Sequence, residues 1–146
     1  MAEAKIIELT LGDPKWDSAL PVLQSLRPHL DRRGLDQLVR EGAPQGLRFT
    51  ALFDGSTCLA ISVWRVMAST TALRRFYIDA ITTTPELRNQ GHGTRLFRLL
   101  VQRAKELRCN TVELNASVDR FDTHRFLIRE RMDITAHHFR LSLDEQ

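Results

Sequence analysis

A mixed α/β fold, with a mostly antiparallel central sheet flanked by helices, is predicted by three features of the sequence. An Asp54-Gly55 pair separates two apolar, β-rich runs at 47–53 and 57–67, and a third run at 73–83 follows the polar turn Ser69-Thr70-Thr71. A long helix-periodic segment then begins beyond Gly91 and Gly93 and leads into another alternating run at 111–117. A hairpin meander that feeds a strand-helix-strand crossover needs antiparallel pairs and one parallel pair in the same sheet. With 146 residues, 42% of them apolar, the chain is long enough to bury one core and is expected to form a single domain over 1–146.

Taken in order, residues 5–11 (KIIELTL) read as a strand ended by Gly12-Asp13-Pro14. Ala19, Leu20, Val22, Leu23 and Leu26 have helical spacing over 18–26, and Pro21 is tolerable there only in a first turn capped by Asp17 or Ser18. A second helix starts near Asp31, carries Leu35, Leu38 and Val39, and is broken between Gly42 and Gly46. After the three β-rich runs, Leu96, Leu99, Leu100, Ala104 and Leu107 line one helical face, opposite Arg98, Gln102, Lys105 and Glu106. A strand at 111–117, a short helix at 119–130 and a strand-like run at 132–143 complete the prediction.

Composition excludes several function classes. The net charge of +3 is too small to argue for nucleic acid, and no aromatic-basic interleaving appears. The first 20 residues are interrupted by Glu3, Lys5, Glu8 and Asp13, so neither a secretory signal nor a membrane span is expected, and a cytoplasmic location is. Cys58 and Cys109 lack a CxxC or histidine partner at metal spacing and read as buried reduced thiols, and no metal is expected. His137-His138 would point to opposite faces of a strand and could not readily share an ion. Trp16 and Trp64 read as core or rim packing.

The stretch that invites a ligand is Pro85 through Thr94. Two glycines at the start of a helix leave room for close approach, and the free amides and positive dipole end there attract an anion such as a pyrophosphate. The Walker pattern fails because no GK[ST] follows, and the dinucleotide pattern fails because Leu96 stands three residues after Gly93. Arg88-Asn89-Gln90-Gly91-His92-Gly93 does fit RxxGxG.

That hexapeptide, set within residues 81–104 between an extended segment and a helix, resembles the acetyl-CoA loop of the GCN5-related N-acetyltransferase (GNAT) superfamily. Residues 118–132, with His124-Arg125-Phe126 at their centre, resemble the second motif of the same family, and the predicted element order agrees over essentially the whole chain. The resemblance implies an acyl-CoA N-acyltransferase fold and an enzyme that moves acetyl from acetyl-CoA to an amine by direct attack in a ternary complex. It implies that Arg88, Asn89, Gln90, Gly91, His92, Gly93 and Thr94 hold the CoA pyrophosphate. Ile81, Thr82 and Thr83 would pair with the pantetheine arm through backbone groups. The acceptor would be a small-molecule or peptide amine, and members frequently form homodimers.

Asp79 is the only acidic residue in 73–83 and lies where family members commonly place a carboxylate facing the acceptor, which makes it the candidate base, with Glu113 as runner-up. The competing reading pairs Asp79 with Arg74 or Arg75, or leaves it as an edge residue in water. The sequence departs from the family at Leu127, where a proton-donating Tyr is common, and at Arg131, where Gly is usual. Water, Ser117 or His124 could then protonate the leaving thiolate, or it leaves unassisted. The rival function class is a CoA-binding sensor without turnover.

Overall fold

Strands β1 (Lys5–Leu9), β2 (Arg48–Asp54), β3 (Thr57–Ser69), β4 (Leu73–Thr83) and β5 (Thr111–Leu114) lie side by side in that order in one sheet. The first four run antiparallel, and β5 joins β4 in parallel. Helices α1 (Trp16–Gln24) and α2 (Arg32–Gly42) follow β1, α3 (His92–Glu106) forms the crossover from β4 to β5, and α4 (Phe121–Arg129) comes last. This computed structural model describes residues 3–144. Packing divides the chain into two compact units, Met1–Leu114 and Asn115–Gln146.

In the first unit, strand alternation sends Phe49, Ala51, Phe53, Ile61, Val63 and Ala80 toward α1 and α2, where Trp16, Leu20, Leu23 and Leu35 meet them. Trp16 packs edge-on to Phe49 with ring centroids 5.2 Å apart. Leu52, Leu59 and Ala60 pack instead with Leu96 of α3. Burying large side chains on both faces is what holds α1, α2 and α3 to the sheet. Thr50 and Ser62 are buried polar exceptions, and both are satisfied. Thr50 donates its hydroxyl to Glu8 Oε1 (2.6 Å) and accepts from Trp64 Nε1 (2.9 Å), while Ser62 donates to the Thr50 carbonyl (2.8 Å). Trp64 stacks on Phe76 at 4.5 Å, so both tryptophans are core residues, as expected.

Several expectations need correction. Helix α1 begins at Trp16, which places Pro21 inside the helix and not in its first turn. Ser18 is no cap, because its hydroxyl accepts from the Cys58 amide across the α1–β3 contact (2.9 Å). Tertiary packing of five buried side chains on α1 outweighs the missing Pro21 donor. Helix α2 begins next to Asp31, as predicted, and Asp31 caps it, accepting from the Gly34 amide at 2.7 Å. Strands β1 and β5 are shorter than predicted, ending at Leu9 and Leu114.

In the second unit, α4 forms as expected, but the run at 132–143 is neither strand nor helix. Its alternation is real, and Phe139, Leu141 and Leu143 are all highly exposed. A strand also requires a neighbour for its backbone groups, and local pattern cannot supply one.

Candidate active site

The glycine loop is built by the end of β4 and the start of α3. Thr84 anchors its entry on β3, donating its hydroxyl to the Cys58 carbonyl (2.8 Å) and its amide to the Leu59 carbonyl (3.1 Å). A short 3-10 turn, Pro85–Leu87, follows, and Leu87 packs on the α3-side core. Asn89 and Gly91 then take positive φ angles of 66° and 84°. Gly91 is the residue before the helix, and its left-handed conformation strains any residue with a Cβ.

The first bond of the helix ladder runs from the Arg95 amide to the Gly91 carbonyl (3.0 Å). The amides of His92, Gly93 and Thr94 therefore precede the ladder, and no acidic residue sits in the first turn. A Cβ on Gly93 would come within 3.2 Å of the Thr83 methyl, whereas one on Gly91 would meet no protein atom within 4 Å. Gly93 thus sets how closely α3 approaches β4, and Gly91 borders open space. This arrangement suits an anion at the helix start.

Next to this loop the parallel pairing of the sheet ends. The β4–β5 ladder runs from Arg75↔Thr111 to Ile78↔Leu114 and stops, while β4 continues to Thr83. Ile81, Thr82 and Thr83 lie on that continuation, half-buried, with the edge facing away from β3 unpaired among the described residues. On the other edge the register passes from Val63↔Ala80 to Trp64↔Ile78, so Asp79 is an extra residue on β4, a β-bulge. A bulge re-aims the side chain it carries.

The Asp79 carboxylate is exposed, and among the described residues no salt bridge reaches it. The rival pairings are occupied elsewhere. Arg74 donates to the Leu107 carbonyl (2.9 Å), and Arg75 faces Glu113 at 3.5 Å. Arg27 donates to the backbone carbonyl of Asp79 (3.1 Å) and leaves its carboxylate alone. Glu113 is held by Arg75 and by the Thr111 hydroxyl (2.7 Å), so it is the less available base. Tyr77 lies beside these groups. Burial pushes its phenol above the ordinary range, the Asp79 charge adds to this, and Arg75, Arg27 and Arg65 oppose it.

Cys58 is buried, and that burial pushes its thiol up to about 12, which makes it inert at neutral pH. Cys109 is only half-buried, contrary to expectation. In the second unit, Leu127 is a half-buried residue of α4 with no proton to give. His124 Nε2 pairs with the Ser117 carbonyl (2.8 Å). The Ser117 hydroxyl donates to Asp119 and holds that exposed carboxyl below its ordinary range. His138 Nδ1 lies 3.3 Å from Asn115 Nδ2, and neither His137 nor His138 is part of a strand.

The profile of the acetyltransferase (GNAT) family matches residues 16–131. The chain belongs to that family. No curated protein matches its sequence. Among solved structures, it is similar to an aminoglycoside N-acetyltransferase in complex with CoA, at 9% identity and a TM-score of 0.84, with 97% of this chain and 95% of that one covered. It is also similar to a ribosomal-protein-alanine N-acetyltransferase from Brucella melitensis biovar Abortus 2308, at 18% identity and a TM-score of 0.76, covering 95% and 100%. A glucosamine-6-phosphate N-acetyltransferase from Arabidopsis thaliana aligns at 14% identity and a TM-score of 0.77, covering 97% and 99%. At such identities the likeness is one of fold.

Within this GNAT chain, the bulge at Asp79 and the convergence of Arg27, Arg65 and Arg75 on Tyr77 were not visible in the sequence. Both depend on strand register. Arg65↔Tyr77 and Tyr77↔Glu113 are cross-strand partners, and Arg27 reaches the same place from the loop after α1.

Proposed function

We propose that this chain transfers an acetyl group from acetyl-CoA to an amine acceptor by direct attack within a ternary complex. The observation that carries this reading is the corner where the unladdered amides of His92, Gly93 and Thr94 adjoin the continuation of β4, whose edge away from β3 has no ladder partner among the described residues. Acetyl-CoA would supply the thioester-activated acetyl group. Residues 88–94 would hold its pyrophosphate through backbone amides and the guanidinium of Arg88. Ile81, Thr82 and Thr83 would offer main-chain groups to the pantetheine amides. Asp79, exposed at the bulge and in no salt bridge among the described residues, would take the proton from the attacking amine. Leu127 cannot protonate the leaving sulfur, but a thiolate departs tolerably near neutral pH without help. The family match runs through both compact units, which supports reading 1–146 as one acetyltransferase domain.

The test follows free thiol while the protein is incubated with acetyl-CoA and a panel of amines. Release that requires both acetyl-CoA and an amine is expected. Tight CoA binding without release for any amine would replace this reading with a sensor, and absence of CoA binding would remove it altogether.

A further inference from the structure

Resting on that acetyl-transfer reading, we propose that the acceptor is an amine that also carries an oxyanion, a carboxylate or a phosphate, held by Arg27 and Arg65 next to Asp79 and Tyr77. The structural basis is a row of side chains set by register. Arg65 on β3, Tyr77 on β4 and Glu113 on β5 are successive cross-strand partners, so they share one face of the sheet. Arg75, two residues before Tyr77, shares that face and lies with its guanidinium 5.1 Å from the Tyr77 ring centre. Arg27 enters from the segment after α1 and bonds the carbonyl of the bulged residue, Asp79.

The charges in this cluster do not cancel. Arg75 and Glu113 are paired with each other. Asp79 then stands against two half-buried guanidiniums, Arg27 and Arg65, neither of which has a carboxylate partner among the described residues. Their hydrogen-bond partners are neutral oxygens, the Asp79 carbonyl for Arg27 (3.1 Å) and Gln45 Oε1 for Arg65 (2.9 Å). A guanidinium has five donors in a planar fork suited to carboxylate and phosphate oxygens, and these bonds occupy only part of each. Arg65 is the cross-strand partner of Tyr77 and Arg27 bonds the Asp79 carbonyl, so both stand beside the candidate base. A bound oxyanion would complete the charge balance there, while a protonated amine would be drawn to Asp79. A polycationic acceptor would bring like charge against the two arginines.

The experiment compares kcat/KM for thiol release with acceptors matched in shape but not in charge. Glycine and other amino acids are set against their amides, glucosamine 6-phosphate against glucosamine, and a polyamine serves as the cationic member. The oxyanion-bearing member of at least one pair is expected to exceed its neutral partner by roughly 10-fold or more, chiefly through KM. Which pair shows it distinguishes carboxylate from phosphate. Arg65→Gln and Arg27→Gln should each bring that ratio toward one, and Arg65→Glu should favour the amide or the polyamine. Arg33→Gln, on the exposed side of α2, should leave the ratio unchanged. Equal or better turnover of neutral and cationic members by the wild type, or a ratio untouched by Arg65→Gln and Arg65→Glu, would overturn the proposal and leave acetyl transfer standing. Failure to bind CoA or to release thiol with any amine would bring down both.

Discussion

The two sides of the candidate site are made differently. At the corner between β4 and α3 the groups on offer are backbone: three amides ahead of the helix ladder, a left-handed Gly91, and a Gly93 that lets the helix start sit against Thr83. On the sheet face around Tyr77 the groups on offer are side chains brought from β3, β4, β5 and the segment after α1. A backbone site is written in a short local motif, because glycine placement and helix onset are local properties. A side-chain site of this kind is written nowhere in particular, since each member comes from a different part of the chain.

The largest effect is expected on the side-chain face. Asp79→Asn should lower kcat by about 100- to 10,000-fold, the usual contribution of a positioned base, while CoA affinity measured by calorimetry stays close to wild type. Full activity of this variant across pH would show that the face needs no carboxylate base and would move the chemistry elsewhere.

A smaller effect of the opposite kind is expected at the corner. Gly93→Val forces a side chain against the Thr83 methyl, which would already lie 3.2 Å from a bare Cβ. Overpacking of about 1–3 kcal/mol between β4 and α3 corresponds to roughly a 5- to 150-fold weaker CoA Kd. Unchanged CoA affinity would remove the loop assignment.

The smallest effect separates scaffold from site within that corner. Cys58 lends its carbonyl to Thr84, but its thiol is buried and protonated. Its pKa rises from 9.0 to about 12 on folding. The unfolded chain therefore releases this proton first as pH rises, and the stabilisation, complete below pH 9.0, is lost toward pH 12. Urea unfolding of wild type against Cys58→Ala should show the difference between them falling with pH in that window, by at most about 1.4 kcal/mol per pH unit, with CoA affinity of the variant little changed. A flat difference would mean the thiol is not held as the geometry requires.

By itself the sequence determined the element types, the Asp54-Gly55 hairpin, the helix start near Asp31, the crossover and the glycine loop, and through its two motifs the family. These follow from short-range causes: alternation, helical spacing, turn residues and positive-φ glycines. Tertiary structure alone decided the rest. The run at 132–143 alternates as a strand would, yet it has no ladder among the described residues, because pairing needs a neighbour as well as a pattern. Pro21 sits inside α1 because packing against the sheet outweighs one lost donor. Most of all, the one-residue register change that bulges Asp79 out of β4, and the cross-strand pairing that sets Arg65 beside Tyr77, are facts about how distant segments align. The glycine loop proposed to hold the cofactor could be read along the chain, but the charges proposed to select the acceptor meet only when the strands align.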